Sequence, residues 1–581
     1  MKSNPVVLLS DTEGSLPCHR IGKLLDFFGV SWRTLTISQF VADSAPECRI
    51  FSSAEVFLRL LEGCNHRPEL IQHSHQNIHS AFVFSDGDPQ VLERVVRLLA
   101  GNERAELRHI EVREKEFVIA NDSGFCGAMA GLRIPALSAK DTGCLVSYIS
   151  NPDAFSLISS ASGSMFLKLQ YGNVPVFVST SAEIVDIDAE LTTQNFDVRE
   201  YFLPAVPVVL YIKWALTELA WHAPETGACL IIDDPVLKPV YGFVNFRDLL
   251  SMMKRYKFST SVAFIPWNWR RSSPEVVSLF RENPEHYSIS VHGCDHTRAE
   301  FGNPHRECVH GKVREAIARM NRHELQTGIR HDQVMVFPQG VFSQEAITTL
   351  KHSDFVAAVN NDTISADLPS RRMKIREVWD VAVMSYDNFP IFTRRYPWEG
   401  IENFAFDILL GKPAIIVVHH DYCSDRYSRL VDFIQGLNAL KCALEWRSLG
   451  EVVRRSCRQR NLSPTLMEVE MYGKQLRLEN RSWQRQRYLI RKRESEPRSI
   501  KQVLAEGSAI MWNSANDGID FEVELEPSEN KVVEIRFEEF FGNGRYPDTL
   551  SYRAKTMLRR YLCELRDNYV MPARCRLAGS C

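Results

Sequence analysis

The stretch Leu230-Ile231-Ile232-Asp233-Asp234-Pro235 decides the fold, because a short apolar run breaks off at two adjacent carboxylates. A run that is apolar at successive positions is the pattern of a strand buried on both faces, as in a parallel sheet covered by helices. Two neighbouring acids at the end of such a strand contribute little to packing, whereas a βα barrel presents its chemistry at the carboxyl ends of its strands. The arrangement recurs twice. Ser288-Ile289-Ser290-Val291 runs into His292-Gly293-Cys294-Asp295-His296, and Ile415-Ile416-Val417-Val418 runs into His419-His420-Asp421. Imidazoles four residues apart can converge on one ion if the chain turns helically between them, so His292 and His296 have metal-ligand spacing. Any one cluster alone is commonplace, since a strand-end Asp often caps the next helix. Three polar clusters closing three apolar strands point to a metal hydrolase.

Working outward, residues 206–460 alternate strand-like and helix-like segments. Ala228–Ile232, Ser261–Ile265, Tyr287–Val291, Val334–Phe337, Phe355–Val359 and Ala414–Val418 read as strands, with helical patterns such as 246–256, 308–325, 402–410 and 427–440 between them. Six or seven βα units predict a barrel, in an α/β protein. Residues 1–205 also alternate, with strands at 6–9, 33–37 and 81–85, and read as a flavodoxin-like or Rossmann-like α/β domain. Its second part turns to β, with a hairpin turn at Tyr171-Gly172-Asn173. Asp11-Thr12-Glu13-Gly14-Ser15, after the first strand, lacks the full glycine pattern of a phosphate loop and reads as a plain βα turn.

Residues 461–545 change character. Ile519, Phe521, Val523 and Leu525 alternate with acids, and Val533, Ile535 and Phe537 repeat the pattern, which predicts a half-buried, sandwich-like antiparallel domain. Residues 546–581 form an amphipathic helix from about Pro547-Asp548, whose apolar stripe of Leu550, Ala554, Leu558, Tyr561 or Leu562, and Leu565 is expected to dock within the protein. The basic run Arg481, Arg485, Arg487, Arg491, Lys492 and Arg493 reads as a solvated face.

Composition limits the partners. With 581 residues, 45% hydrophobic and 24% charged, the chain is long enough for three or four globular domains at roughly 150 residues each. Lys+Arg 69 against Asp+Glu 72 leaves no basic field to drive binding to nucleic acid. The 14 cysteines contain no C-x-x-C pair, and no apolar run approaches the roughly 20 residues of a transmembrane helix. With no signal-peptide pattern at the N-terminus either, a cytoplasmic location is expected. Oligomeric state is not fixed by any pattern.

The strand-end motifs resemble those of the polysaccharide deacetylases with a NodB homology domain, the carbohydrate esterase family 4 and its divergent relatives, over residues 225–455. The acidic pair Asp233-Asp234 resembles the family's first motif and His292-Gly293-Cys294-Asp295-His296 its second. Phe337-Pro338-Gln339-Gly340 resembles the third, and Ile416–His420 the last. The resemblance implies a distorted (β/α)7 barrel that removes acetyl (N-acyl) groups from a sugar or polysaccharide. Asp233 would then be the general base, and Asp234, His292 and His296 the ligands of a divalent metal, zinc first, with cobalt, nickel and manganese as alternatives. His420 is expected as the general acid, with His419 as the alternative. Pro235, Gly293 and Val336 stand where the family has glycine, Ser/Thr and arginine, so a cationic partner for Asp233 is sought in Arg394 or Arg395. Trp267, Asn268, Trp269 and Arg270, at the end of the second strand, join Pro338 and Gly340 as candidate sugar-binding residues, since sugars stack on aromatic faces and bond to such donors. Two other readings remain: a weakened carbohydrate-binding protein, or a same-barrel hydrolase of a non-sugar C–N bond.

Overall fold

Seven strands that pair in chain order form the barrel sheet: β1 (Thr226–Asp233), β2 (Thr260–Phe264), β3 (Tyr287–His292), β4 (Asp332–Val336), β5 (Ala357–Asn360), β6 (Ile391–Thr393) and β7 (Ala414–His419). The structure, a computed structural model, describes residues 6–11, 15–42, 48–63, 78–85, 87–101, 106–109, 116–137, 144–147, 154–181, 183–538 and 544–577. All pairings between the seven are parallel, in the order β6-β5-β4-β3-β2-β1-β7. Beyond β6 the ring closes through one residue: the Arg395 N–H donates to Ile415 and its carbonyl accepts from Val417, at 3.0 and 2.9 Å. This is the barrel the alternation predicts, with the seven strands that the resemblance implies. Its strands are largely apolar because both faces are covered. Leu230, Ile231 and Ile232 are each 0% exposed, and burial of such side chains stabilises by about 1.5–3 kcal/mol apiece.

Contacts divide the chain into two compact units, Met1–Ala189 with Asp197–Trp221, and Glu190–Phe196 with His222–Cys581. The division follows Trp221, beyond the change of pattern near 205, since the apolar helix Phe202–Ala215 packs in the first unit, where Tyr211 bonds to Ser80. In that unit the strands Trp32–Leu35, Val6–Leu9, Cys48–Ser53, Ile78–Phe84 and Val174–Ser179 lie side by side in parallel, a flavodoxin-like order. The hairpin of Ser164–Tyr171 and Val174–Ser179 turns at Gly172-Asn173, and continues the sheet in antiparallel fashion. The Thr12–Gly14 portion of the first βα turn lies outside the described residues.

In the second unit, a five-stranded and a four-stranded sheet follow the barrel. Gly518–Leu525 belongs to the first and Asn530–Phe537 to the second, so the turn at 526–529 crosses between sheets, and their apolar faces share one core. The β domain is thus a sandwich. Its basic run is matched by acids: Arg485 pairs with Glu524, Arg491 with Glu468 and Arg493 with Asp380, while Lys492 is buried and donates to the Tyr472 carbonyl.

Thr549 caps the C-terminal helix Leu550–Leu565, accepting from the Tyr552 N–H. Here the expected orientation is overturned. Leu550, Leu558, Tyr561, Leu562 and Leu565 are exposed by 51–84%, and the buried face is polar: Thr556, Arg560 and Glu564, followed by Asp567. The barrel face that receives the helix is itself rich in charged and hydroxyl groups, so ion pairing sets the rotation of the helix and hydrophobicity does not.

Candidate active site

The acidic pair sits at the end of β1. In extended backbone two successive side chains would point to opposite faces, but Asp234 has φ +81, a left-handed conformation that Asp tolerates, and the alternation breaks there. Asp234 Oδ1 thereby lies 3.1 Å from His296 Nε2 and 3.7 Å from His292 Nε2. Ligand atoms of these three residues all lie within 4.8 Å of one another. A tetrahedral ion with bonds of about 2.0–2.2 Å would space its ligands roughly 3.3–3.6 Å apart, so the set has the right size. Two further observations fit a cation. Asp234 Oδ1 is buried and makes no hydrogen bond. His292 Nδ1 lies 2.9 Å from the Val336 carbonyl, so the proton belongs on Nδ1 and the lone pair on Nε2 faces Asp234. Burial lowers the His292 pKa to about 4 against the pull of Asp233, which keeps the ring neutral and able to ligate.

A buried carboxylate that the sequence did not single out shapes the loop carrying both histidines. Glu300 Oε1 accepts the N–H groups of Cys294 and His296 at 2.8 and 3.1 Å, and Oε2 accepts that of Asp295 at 3.1 Å. Lys312 Nζ, 3.2 Å away, balances its charge. The departure at Gly293 follows from this clamp. Gly293 has φ +67, and a Cβ there would come 2.2 Å from Glu300 Oε1 and 2.4 Å from Pro338 Cγ. Pro338 thus supports the loop, and Gly340, at φ +70, turns the chain beside Asp362.

Asp233, 3% exposed, receives Arg394 Nη1 on Oδ1 at 2.8 Å. Asn361 Oδ1 holds the same guanidinium from its other side, accepting from Nε at 2.8 Å. Burial alone would raise the Asp233 pKa, but Arg394 and then His292 outweigh it and hold the carboxyl below the usual range. The cation absent at Val336 therefore comes from just beyond β6. Arg395 is engaged elsewhere, with Asp407 at 2.7 Å and Glu399 at 3.1 Å.

The two histidines after β7 separate. His419 pairs in register with Asp233, and its charge acts on both Asp233 and Asp234. His420 lies just beyond the strand, at the start of a 3-10 turn. It lies 3.5 Å from Asp567, edge-on to Tyr241, and over Gly242, where a Cβ would come 2.3 Å from its Nδ1. Asp421 is exposed, so the carboxylate beside His420 is Asp567 of the C-terminal segment. His419 is the ring that bears on the carboxylates.

At the end of β2, Trp267 is half-buried against Tyr561, and Arg271 stands over its ring. Arg270 covers the face of Trp269 at 4.3 Å. Asn268 is buried and its Nδ2 has no partner.

No family model matches this chain, and no curated protein sequence does. Among solved structures the chain is similar to Agd3, described as a novel carbohydrate deacetylase, at 10% identity and a TM-score of 0.49 over 91% of this chain and 98% of that one. It is also similar to the peptidoglycan deacetylase PdaC from Bacillus subtilis, at 13% identity and a TM-score of 0.23 over 40% and 91%. A family 4 acetyl xylan esterase from Clostridium thermocellum, in complex with a cobalt ion, is similar at 13% identity and a TM-score of 0.25 over 39% and 90%. The chain's own geometry is a seven-stranded parallel barrel with Asp234, His292 and His296 converging at the ends of its strands.

Proposed function

We propose that this chain is a metal-dependent hydrolase that removes acetyl groups from the nitrogen of an acetylated sugar. The observation that carries the reading is the convergence of Asp234, His292 and His296 beside a second, separately clamped carboxylate. When bound by those three residues, a divalent ion, zinc first among the candidates, supplies Lewis acidity that activates water and polarises a carbonyl. Asp233, held ionised by Arg394, takes a proton from the attacking water. His419, on the neighbouring strand, gives a proton to the departing amine. Arg394 positions the base. Sugar contact falls to Trp267, Trp269 and Arg270, with buried Asn268 and Pro338 and half-buried Gly340 shaping the floor beneath them.

Acetate release from a panel of acetylated glycans tests this, with the protein assayed after metal loading and after chelation. Release that depends on metal and is lost in Asp234→Ala is the expected result. Metal-independent release, or tight metal binding without release from any acetylated sugar, would overturn it.

A further inference from the structure

Arg560 lies on the buried face of the C-terminal helix, 4% exposed, and its Nε has no hydrogen-bond partner. It makes no hydrogen bond or ion pair with any described residue. Burying a guanidinium N–H without a partner is costly, so an unmet one marks a place where a partner is to arrive.

The anchors of the helix locate that place. Tyr546 and Tyr552 donate to Asp295, in the loop between His292 and His296, at 2.9 and 2.7 Å. One turn beyond Arg560, Glu564 is gripped by Lys238, which follows the acidic pair, and by Arg271, from the loop after β2. The Tyr241 hydroxyl donates to Asp567 at 2.9 Å, and the Gly242 N–H to Asn568 at 2.6 Å. All these barrel loops follow the carboxyl ends of β1, β2 and β3, and Arg560 hangs between the anchors, over the mouth that holds Asp234. Its charge acts on Asp234 and on Tyr241.

The nearby carboxylates are all committed. Asp233 belongs to Arg394, Glu564 to Lys238 and Arg271, Asp567 to Tyr241, Arg566 and His420, and Asp234 to the ligand set. With a divalent ion on one carboxylate and two neutral rings, the mouth carries an excess of positive charge before Arg560 is counted.

We infer that Arg560 binds an anionic oxygen group of the substrate, a carboxylate or a sulfate on the acetylated sugar or its neighbour, and so selects acidic glycans. The planar fork of arginine matches either group through two parallel N–H bonds. This inference rests on the reading given under Proposed function.

The test uses the full-length, metal-loaded protein and three tetrasaccharides: neutral N-acetylglucosamine tetramer, its 6-O-sulfated form, and a hyaluronan fragment carrying carboxylates. Wild type should favour at least one anionic oligomer by about 10- to 100-fold in kcat/KM. Arg560→Gln should remove that preference, and Arg560→Lys, which keeps the charge without the fork, should retain part of it. Which anionic oligomer is favoured tells carboxylate from sulfate. Calorimetric binding of the same oligomers to the chelated protein provides a readout independent of turnover. If wild type turns over none of the three, binding alone decides Arg560 and the deacetylase reading fails separately. Equal losses on all three oligomers in Arg560→Gln, or an unchanged preference, would overturn the inference. Should Arg560→Gln fail to fold, the Lys variant carries the same comparison.

Discussion

Glu300 offers the sharpest test of how the loop carrying His292 and His296 is built, because it lies outside the proposed ligand set. Its Oε1 accepts from Cys294 N and His296 N, and its Oε2 from Asp295 N, Thr297 N, the Thr297 hydroxyl and Lys312 Nζ, at 2.8–3.4 Å. In Glu300→Gln the new NH2 must face one of these two sets of donors. Either orientation strands at least two buried N–H groups, each worth about 1–3 kcal/mol, and leaves buried Lys312 without its counter-charge. These losses overlap, and together they predict a destabilisation of about 4 kcal/mol. Urea unfolding in the presence of chelator isolates this loss from metal binding. Competition with a chromophoric chelator should show metal affinity reduced about 10- to 100-fold, since His296 hangs on the same loop. Adding Lys312→Met should recover about 1–2 kcal/mol by removing the orphaned charge. A Gln variant within 1 kcal/mol of wild type, or one with undiminished metal affinity, would refute the clamp.

Asp233→Asn should keep the metal while lowering turnover by roughly 10²- to 10⁴-fold, measured as acetate release beside metal content. His419→Ala should depress turnover far more than His420→Ala, whose main effect should be a lower unfolding midpoint through loss of the Asp567 contact; the reverse ranking would restore His420 as the acid. Removing the metal should lower the unfolding free energy by about 2.7 kcal/mol relative to protein held at a hundred times the dissociation constant, and this difference should vanish in His292→Ala. Burial, then His331, holds buried His323 at a pKa of about 4 where it meets Ser272, so the unfolded chain takes up a proton first as pH falls below about 6.5. Its contribution, at most about 3 kcal/mol, is present above pH 6.5 and lost towards pH 4. His323→Gln should flatten that stretch of the stability profile of the chelated protein.

What the sequence shows plainly is whatever burial writes into periodicity. Leu230–Ile232 and Ile415–Val418 read as strands because both faces are covered, and Ile519–Leu525 because one is. β6 escaped notice since three residues, Ile391–Thr393, are too few to show a period. The convergent set Asp234, His292 and His296 is legible because each chemistry-bearing group follows directly on an apolar strand. Arg394 could be named by residue type alone, and its choice over Arg395 needed coordinates: one arginine faces Asp233, the other Asp407. Glu300, Asn361 and Asp567 gave no signal, because a carboxylate or amide that serves a distant loop has no local pattern to mark it. The C-terminal helix misled for a related reason. Its strongest periodicity is apolar, yet its binding face was set by complementary charges that lie hundreds of residues away in the chain.

The closure of the barrel through Arg395 makes one edge of the ring a seam a single residue wide. A long strand pair opens only when many hydrogen bonds break together, whereas two bonds can part in a local fluctuation. The seam is therefore where backbone amide protons of the barrel should exchange with solvent earliest. The next residue towards the site is Arg394, whose guanidinium keeps Asp233 ionised. With Asp233 as the base proposed above, an opening of the seam would act on the neighbouring Arg394, so tightening the seam from outside the pocket should raise turnover without touching a single group inside it.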